Sequence, residues 1–424
     1  MEMGGVVDDD GPGWQDTIRK SGWDRSAMTD AILVLNGGSS SLKFAAFQGG
    51  DELHLLVRGS VSSIGERPRL HVAPTATTPP FDRSLGEQPI SIGKAFEAVA
   101  SYLADRGLLQ RVRRVGHRIV HGGREFTRAT LIDERTLDAL RKLKPLAPIH
   151  QAINLELVDL ANRLLPGAMQ VGCFDTAFHA TQPELARLYG LPHELSQQGI
   201  VSYGFHGLSY SHIASELHNR YGAAAGGRTI VAHLGSGASL CAMTEGVSRA
   251  TTMGFSTLDG LVMSTRCGAI DPGVLLHLLQ DRKLSPDELM DLLYERSGLL
   301  GVSGISGSMQ TLLASKDPAA MRAVDLFVYR VGREIGSLAA AIGGLDTLVF
   351  TAGIGEHAPV IRQRICEAAG WLGVALDKEL NANSEELVSA PDSLVDVLVI
   401  PADEERAVAA KIERFGTSVG GGPF

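Results

Sequence analysis

Residues 31–47 read AILVLNGGSSSLKFAAF, and the fold of the chain turns on this stretch. Positions 31–35 form an apolar run with β-branched members, of the length of a buried strand. Asn36, Gly37, Gly38 and three serines follow, and residues 42–47 are largely apolar again. The unit reads as strand, tight polar turn, strand. Its glycines permit positive φ and close backbone approach. Backbone N–H groups, the hydroxyls of Ser39 and Ser41, the Asn36 amide and the Lys43 ammonium suit the turn to an anion, above all a phosphate. An ordinary Gly/Ser hairpin has the same composition, so this stretch alone leaves both readings open.

Residues 229–243, TIVAHLGSGASLCAM, repeat the plan. His233 precedes the second turn, and Gly235, Ser236 and Gly237 form it. Two such units roughly two hundred residues apart imply two related halves, whose turns grip one polyphosphate from opposite sides of a cleft. The repeat is a distant duplication, not a short-period array.

Outward from the hairpins, strands are expected at 53–60, 114–120, 169–174, 345–350 and 395–400. Helices are expected at 91–106, 133–143, 153–165, 209–221, 274–279 and 286–294. Residues 66–85 are rich in Pro and Thr and read as loop with one edge strand. Asp317-Pro318 reads as an N-cap and a proline at the first helical position, opening a helix to about Gly343. Residues 351–356, TAGIGE, read as a turn before a helix over 359–369, and Asp403-Glu404-Glu405 begin the last helix. Three strands followed by strand–helix alternation, seen twice, specify an α/β fold of two lobes.

The 424 residues allow two or three domains. Apolar residues make up 44%, charged residues 21%, and the net charge is −9. That balance gives no support to nucleic-acid or anionic-membrane binding. Cys173, Cys241, Cys267 and Cys366 are scattered and form no zinc or disulfide pattern. No apolar run reaches the roughly 20 residues of a membrane span. Residues 1–30 are polar and Gly-rich, without a signal-peptide core, and read as a flexible extension of a cytoplasmic protein.

VLNGGSSSLKF, GHRIVHGG, LAPIH, FDTAFHAT, YGFHGLSY, HLGSGASL, TMGFSTLDGLVMSTRCGAIDPG and FTAGIGEHAPVIR together resemble the acetate and propionate kinase family, in that family's order, from about residue 32 to 407. That family belongs to the sugar kinase, Hsp70 and actin superfamily. The resemblance implies two duplicated ribonuclease H-like (actin-like ATPase) domains with a ββαβαβα core and an interdomain cleft. One would span 31–190, with the C-terminal helix packing back on it, and the other, nucleotide-binding, would span 191–424. It also implies ATP/ADP, Mg²⁺ or Mn²⁺, acetate or another short carboxylate, and a homodimer.

Transfer of a phosphoryl group to a carboxylate needs in-line alignment and cations around the equatorial oxygens. The carboxylate nucleophile is already ionised at neutral pH, so no strong base is required. The resemblance assigns such a site residue by residue. Arg118 and Arg266 match two active-site arginines whose planar forks suit carboxylate and phosphoryl oxygens. His206 matches a histidine that stabilises the transition state, and Asp175 an essential aspartate. His179 reads as a supporting residue. His150, Val120, Ile149, Phe205 and Thr257 match the pocket for the acid. Lys43, Ser39, Ser41, His233, Gly235, Ser236 and Gly237 match the phosphate contacts. Ser308, Gln310, Gly353, Ile354 and Gly355 stand at the adenosine contacts, and Glu404 and Asn36 at the metal.

The chain departs from the family pattern at several of these places. Ser308-Met309-Gln310 replace an Asp-aromatic-Arg segment, Ser236 an asparagine, Tyr210 a histidine and Thr257 a proline, and QAIN follows His150. Such changes are compatible with relaxed nucleotide choice, a pyrophosphate donor or a larger acyl pocket. The expectation is an acetate kinase. A propionate, butyrate or pyrophosphate-linked acyl kinase is the alternative within the fold, and a non-enzymatic nucleotide switch the alternative outside it. A sugar kinase would need an aspartate base for a hydroxyl instead.

Overall fold

In the computed structural model, β1 (Ala31–Gly37) pairs antiparallel with β2 (Leu42–Gln48), placing Asn36 opposite Lys43. The structure describes residues 30–38, 40–50 and 52–418, with backbone alone at 148–149 and 416–418. The expected extension over 1–29 and the predicted phosphate contact Ser39 lie outside the described residues.

β1 is buried along its whole length, as befits a central strand covered on both faces. The antiparallel run continues through β3 (His54–Ser62), β4 (Arg69–Ala73) and β5 (Phe81–Ser84). Helix α1 (Ile92–Ala104) then crosses to β6 (Val112–Ile119), which lies parallel to β1. Past the two-residue β7 (Thr130–Leu131), α2 (Glu134–Lys142) and α3 (Pro148–Leu164) lead to β8 (Met169–Phe174), parallel to β6. The first sheet runs β5-β4-β3-β2-β1-β6-β8-β7.

After α4 (Gly207–Tyr221) the plan repeats with β9 (Arg228–Leu234), β10 (Ala238–Thr244) and β11 (Val247–Thr251). A loop, the helices α5 (Pro272–Gln280) and α6 (Pro286–Glu295), and the long α7 (Pro318–Ile342) follow. Then come β12 (Thr347–Thr351), α8 (Ala352–His357), α9 (Pro359–Ala368), β13 (Asp396–Val399) and α10 (Glu404–Ser418). The second sheet runs β11-β10-β9-β12-β13. Both halves thus share three consecutive antiparallel strands, with the first of them at the centre and two parallel strands beyond it; the first half extends the run by β4 and β5 and adds β7 at the opposite edge. The short α/β formula of the resemblance gains a third leading strand in each half.

Local chemistry explains the elements that carry the site. The Asp317 side chain accepts from Ala319 N at 2.8 Å, Pro318 occupies the first turn, and Gly343 ends α7 at φ 76°. Its Ala320, Val324, Phe327, Val331 and Ile335 are buried at the regular spacing of one helix face. Fully burying one such aliphatic or aromatic side chain is worth about 1.5–3 kcal/mol. Helix α10 returns to the first half, where Val408, Ala409 and Ile412 pack with Ile32, Val34 and Val171. A Cβ on Gly116 of β6 would lie 2.3 Å from Ile412 and 2.5 Å from Val408, so only glycine lets the helix approach this closely.

Three expectations are corrected. Residues 66–85 hold two edge strands, not one; β5 is almost wholly exposed and so lacks an alternating apolar signal. The expected turn at 351–356 is mostly helix α8. The fully buried Arg362 stabilises it by donating through Nη1 to Gly355 O and Glu356 O, both at 2.8 Å. Helix α3 starts at Pro148 rather than 153, with proline in the first turn. Among the described residues no helix is long and apolar enough to cross a membrane.

Candidate active site

The two glycine turns face one cleft of about 620 Å³, at the carboxyl ends of β1, β6 and β8. This is where open α/β sheets place ligands. Asn36 ends β1, Arg118 sits near the end of β6, Asp175 follows β8, and Glu404 begins α10. Parallel pairing in register brings their side chains together from positions far apart in sequence.

Arg118 is held on every side. Its Nε and Nη2 donate to the Asp175 carboxylate at 2.7–3.2 Å, and Nη1 donates to Asn36 Oδ1 at 3.0 Å. Glu404 Oε2 lies 3.2 Å from Nη1 and also accepts from Asn36 Nδ2 at 2.9 Å. Burial opposes charge on Arg118, but the Asp175 and Glu404 carboxylates more than offset it and raise its pKa. Burial raises the Asp175 carboxyl while Arg118 pulls it down; the two-pronged contact at 2.7–3.2 Å is that of an ion pair. Burial also works against Glu404, yet Arg118, His233 and Lys43 hold it below the usual carboxylate range.

Arg266 is different. Its contacts are the Thr257 carbonyl, 3.1 Å from Nη1, and the Met263 sulfur at 3.8 Å. Among the described residues no carboxylate is within ion-pair distance of it. Burial and the charge of Arg118 lower its pKa. A Cβ on Gly237, in the second turn, would lie 3.4 Å from His206 Nε2 and 3.8 Å from Arg266 Nη1. Glycine therefore leaves open a spot that both groups reach.

His206 occupies the N-cap of α4 at φ 56°, a strained backbone for a non-glycine residue. Its ring stacks on His233 at 4.1 Å between centroids and 18° between planes. Burial, then His233, Arg118 and Arg266, hold the His206 pKa well below its usual value. Burial takes His233 to about 4. His150 is also lowered to about 4, by burial and by Arg266 and Arg118. All three imidazoles are neutral at pH 7, and neutral rings can donate one N–H each.

Val120, Phe205, His150 and Thr257 share the cleft with the two arginines. Val120 and Phe205 are buried and belong to one apolar cluster that joins the halves. Ile149 is known by backbone alone. Two polar residues of the QAIN segment, to which the sequence reading assigned no role, hold this wall. Asn154 accepts from Val120 N at 3.0 Å and donates to Gly37 O at 2.9 Å. Gln151 accepts from His121 N at 3.2 Å and donates to His121 O at 3.1 Å. His179 contacts Phe205 O through Nε2 at 2.9 Å, a supporting contact.

Ser41, Lys43, His233, Gly235, Ser236, Gly237 and Gly353 line the cleft. Four predicted contacts do not. Ser308 is the exposed N-cap of a short helix, accepting from Thr311 N, and Gln310 is exposed on that helix. Ile354 packs against the core of the second half, and Gly355 is buried in α8. Asn36, Glu404 and Asp175 offer hard oxygen donors, but no group of three acids, histidines or cysteines is placed to hold a metal among the described residues. One or two oxygens suit Mg²⁺, which keeps several waters and arrives with phosphates. Ser239, Ser209 and Glu405 also belong to the site's structure and were missed. Each is a small or acidic residue whose role exists only through a partner distant in sequence.

A model described as the acetokinase family matches residues 31–410. The chain is 49% identical over 394 residues to an acetate kinase of Rhodopseudomonas palustris strain TIE-1, covering 92% of this chain and 99% of that one. It is 46% identical over 383 residues to an acetate kinase of Nitrobacter hamburgensis, covering 90% and 95%. A propionate kinase of Francisella tularensis has a similar solved structure, with TM-score 0.83, 33% identity and coverage of 90% and 99%. For an acetate kinase of Porphyromonas gingivalis the TM-score is 0.79, with 33% identity and coverage of 90% and 98%.

Proposed function

The chain belongs to the acetokinase family, and from that premise we propose that it is an acetate kinase, moving a phosphoryl group reversibly from ATP to acetate to give acetyl phosphate and ADP. The carrying observation is that Arg118, Arg266 and His206 enter one cleft beside an apolar wall. The acetate carboxylate meets the guanidinium of Arg118, and its methyl group rests on Val120 and Phe205. The nucleotide phosphates lie over the two turns, with Ser41 and Lys43 on one side and residues 235–237 on the other. Arg266 and the neutral His206 donate to oxygens of the migrating group, whose negative charge spreads over them in the transition state. The acetate oxygen attacks in line and no covalent enzyme intermediate forms.

Asn36 and Glu404 are the residues that would hold Mg²⁺ with the phosphates, and Asp175 would fix Arg118. The ion supplies charge neutralisation on the nucleotide. We place the boundary between the two lobes near residue 190, ahead of α4, and expect a cytoplasmic homodimer as the working form; family membership supports this reading.

The test is hydroxylamine trapping of the acyl phosphate with acetate, propionate and butyrate, each with ATP and with pyrophosphate. The highest kcat/KM is expected for acetate with ATP. No trapped product with any acid sinks the assignment; a preference for propionate or pyrophosphate reassigns acceptor or donor.

A further inference from the structure

Behind His206 runs a buried hydrogen-bond chain that family membership does not explain. Tyr210, one turn along α4, is fully buried, and its phenol oxygen lies 2.5 Å from Ser239 Oγ. Ser239 Oγ lies 2.8 Å from His206 Nδ1. Among the described residues the phenol has no other hydrogen-bond partner, and Ser239 has only these two through its side chain. We propose, resting on the function above, that Tyr210 is a positioning residue: acting through Ser239, its hydroxyl fixes His206 as the tautomer carrying its proton on Nε2, aimed into the cleft.

The argument is one of proton accounting. A phenol carries one proton and must give it to an acceptor or leave it unpaired. Burial pushes the Tyr210 pKa well above its usual value, so the proton stays on. Its acceptor is Ser239 Oγ. The serine proton then points to the other neighbour, His206 Nδ1, which must accept. A neutral imidazole accepting at Nδ1 bears its hydrogen at Nε2. That nitrogen is 3.4 Å from the spot that Gly237 leaves open beside Arg266. In the reverse order His206 Nδ1 donates to Ser239, Ser239 donates to the phenol, and the phenol proton is stranded in the core. An unmade buried hydrogen bond disfavours that state by about 10-fold or more in population.

The surroundings fix the ring as well as the proton. His233 stacks on His206 and prevents it from tilting, and His233 is itself held through Nδ1 by Ser209 Oγ at 2.8 Å. Ser239 lies opposite His233 across the β9–β10 pair, so the turn that grips phosphate also carries the relay. A donor at Nε2 stabilises negative charge gathering on the phosphoryl oxygens; an unprotonated Nε2 would repel it.

Long-range proton–nitrogen NMR spectra of the uniformly ¹⁵N-labelled full chain at pH 7.5 read the tautomer directly, with His206→Gln identifying the signals. The wild type should show a protonated Nε2 and a bare Nδ1. Tyr210→Phe removes only the hydroxyl and should mix the tautomers. It should lower kcat about 10-fold while both KM values stay within about twofold. Ser239→Ala should do the same, and the double variant should be no worse than Ser239→Ala. If Tyr210→Phe does not fold, Ser239→Ala carries the test alone. A proton on Nδ1 in the wild type, or an unchanged tautomer in the variants, overturns the proposal. The spectra need no substrate, so they decide the relay even if trapping finds no acyl phosphate.

Discussion

The two halves share a strand plan yet treat charge in opposite ways. In the first, Arg118 is neutralised by Asp175 and Glu404 and tied to Asn36, so its position is fixed before any ligand arrives. In the second, Arg266 rests on a carbonyl and a sulfur, and His206 and His233 are neutral. Duplication therefore supplied one scaffold twice, and the polar residues at the strand ends divided the work. The first half holds a rigid ionic frame. The second contributes a cation that no carboxylate among the described residues pairs with at ion-pair distance, open to an incoming anion.

The sharpest way to break this contrast is to remove the two arginines in turn. Arg118→Ala leaves Asp175 buried without its partner, which typically costs about 3–5 kcal/mol. It should lower the urea midpoint markedly and cut kcat/KM at least about 10³-fold. Arg266→Ala should lose about 10²–10³-fold in kcat with the urea midpoint unmoved; a large loss of stability there would erase the distinction. Next in size is Gly237→Ala, whose methyl group fills the spot between His206 and Arg266. We expect about a tenfold loss of kcat with normal folding, and full activity would place the phosphoryl group elsewhere.

Acidity offers the mildest probe. His117, His121 and His179 in the first half, and His233 in the second, are lowered to about 4 by burial. Between pH 6.5 and 4 the unfolded chain binds more protons than the native one. Stability from these groups is thus complete above pH 6.5 and falls as pH drops toward 4. Urea unfolding at pH 5.0 should show a loss of more than about 2 kcal/mol relative to pH 7.5. Equal midpoints at the two pH values would mean that water reaches these rings.

Sequence alone revealed the parts of this contrast that are local. The hairpins were legible because glycine turns interrupt short apolar runs at 31–47 and 229–243. Helix α7 was legible from Asp317-Pro318 and Gly343, which mark both its ends. β5 was hidden because its residues face water. Helix α8 was hidden because a buried arginine six or seven residues later in the chain satisfies its last carbonyls. At the site, the resemblance found Arg118, Arg266 and His206, and the structure gathers them in one cleft. It did not find Asn154, Gln151 or Ser239, whose value is a hydrogen bond to a residue 30 or more positions away. Ser308, expected at the adenosine, lies outside the cleft as the N-cap of a short helix.

Helix α10 covers β1 and β6 while its first residue, Glu404, reaches Arg118. One face of the first half is therefore completed by a helix that lies about 285 residues beyond β6 in the chain. During vectorial synthesis, Ile32, Val34 and Gly116 must wait, uncovered, until α10 is made, about 290 residues after Gly116 and about 370 after Ile32 and Val34. The Glu404 arm of the ionic frame then closes in the same event that seals the apolar face, so a chain cut before α10 should have neither.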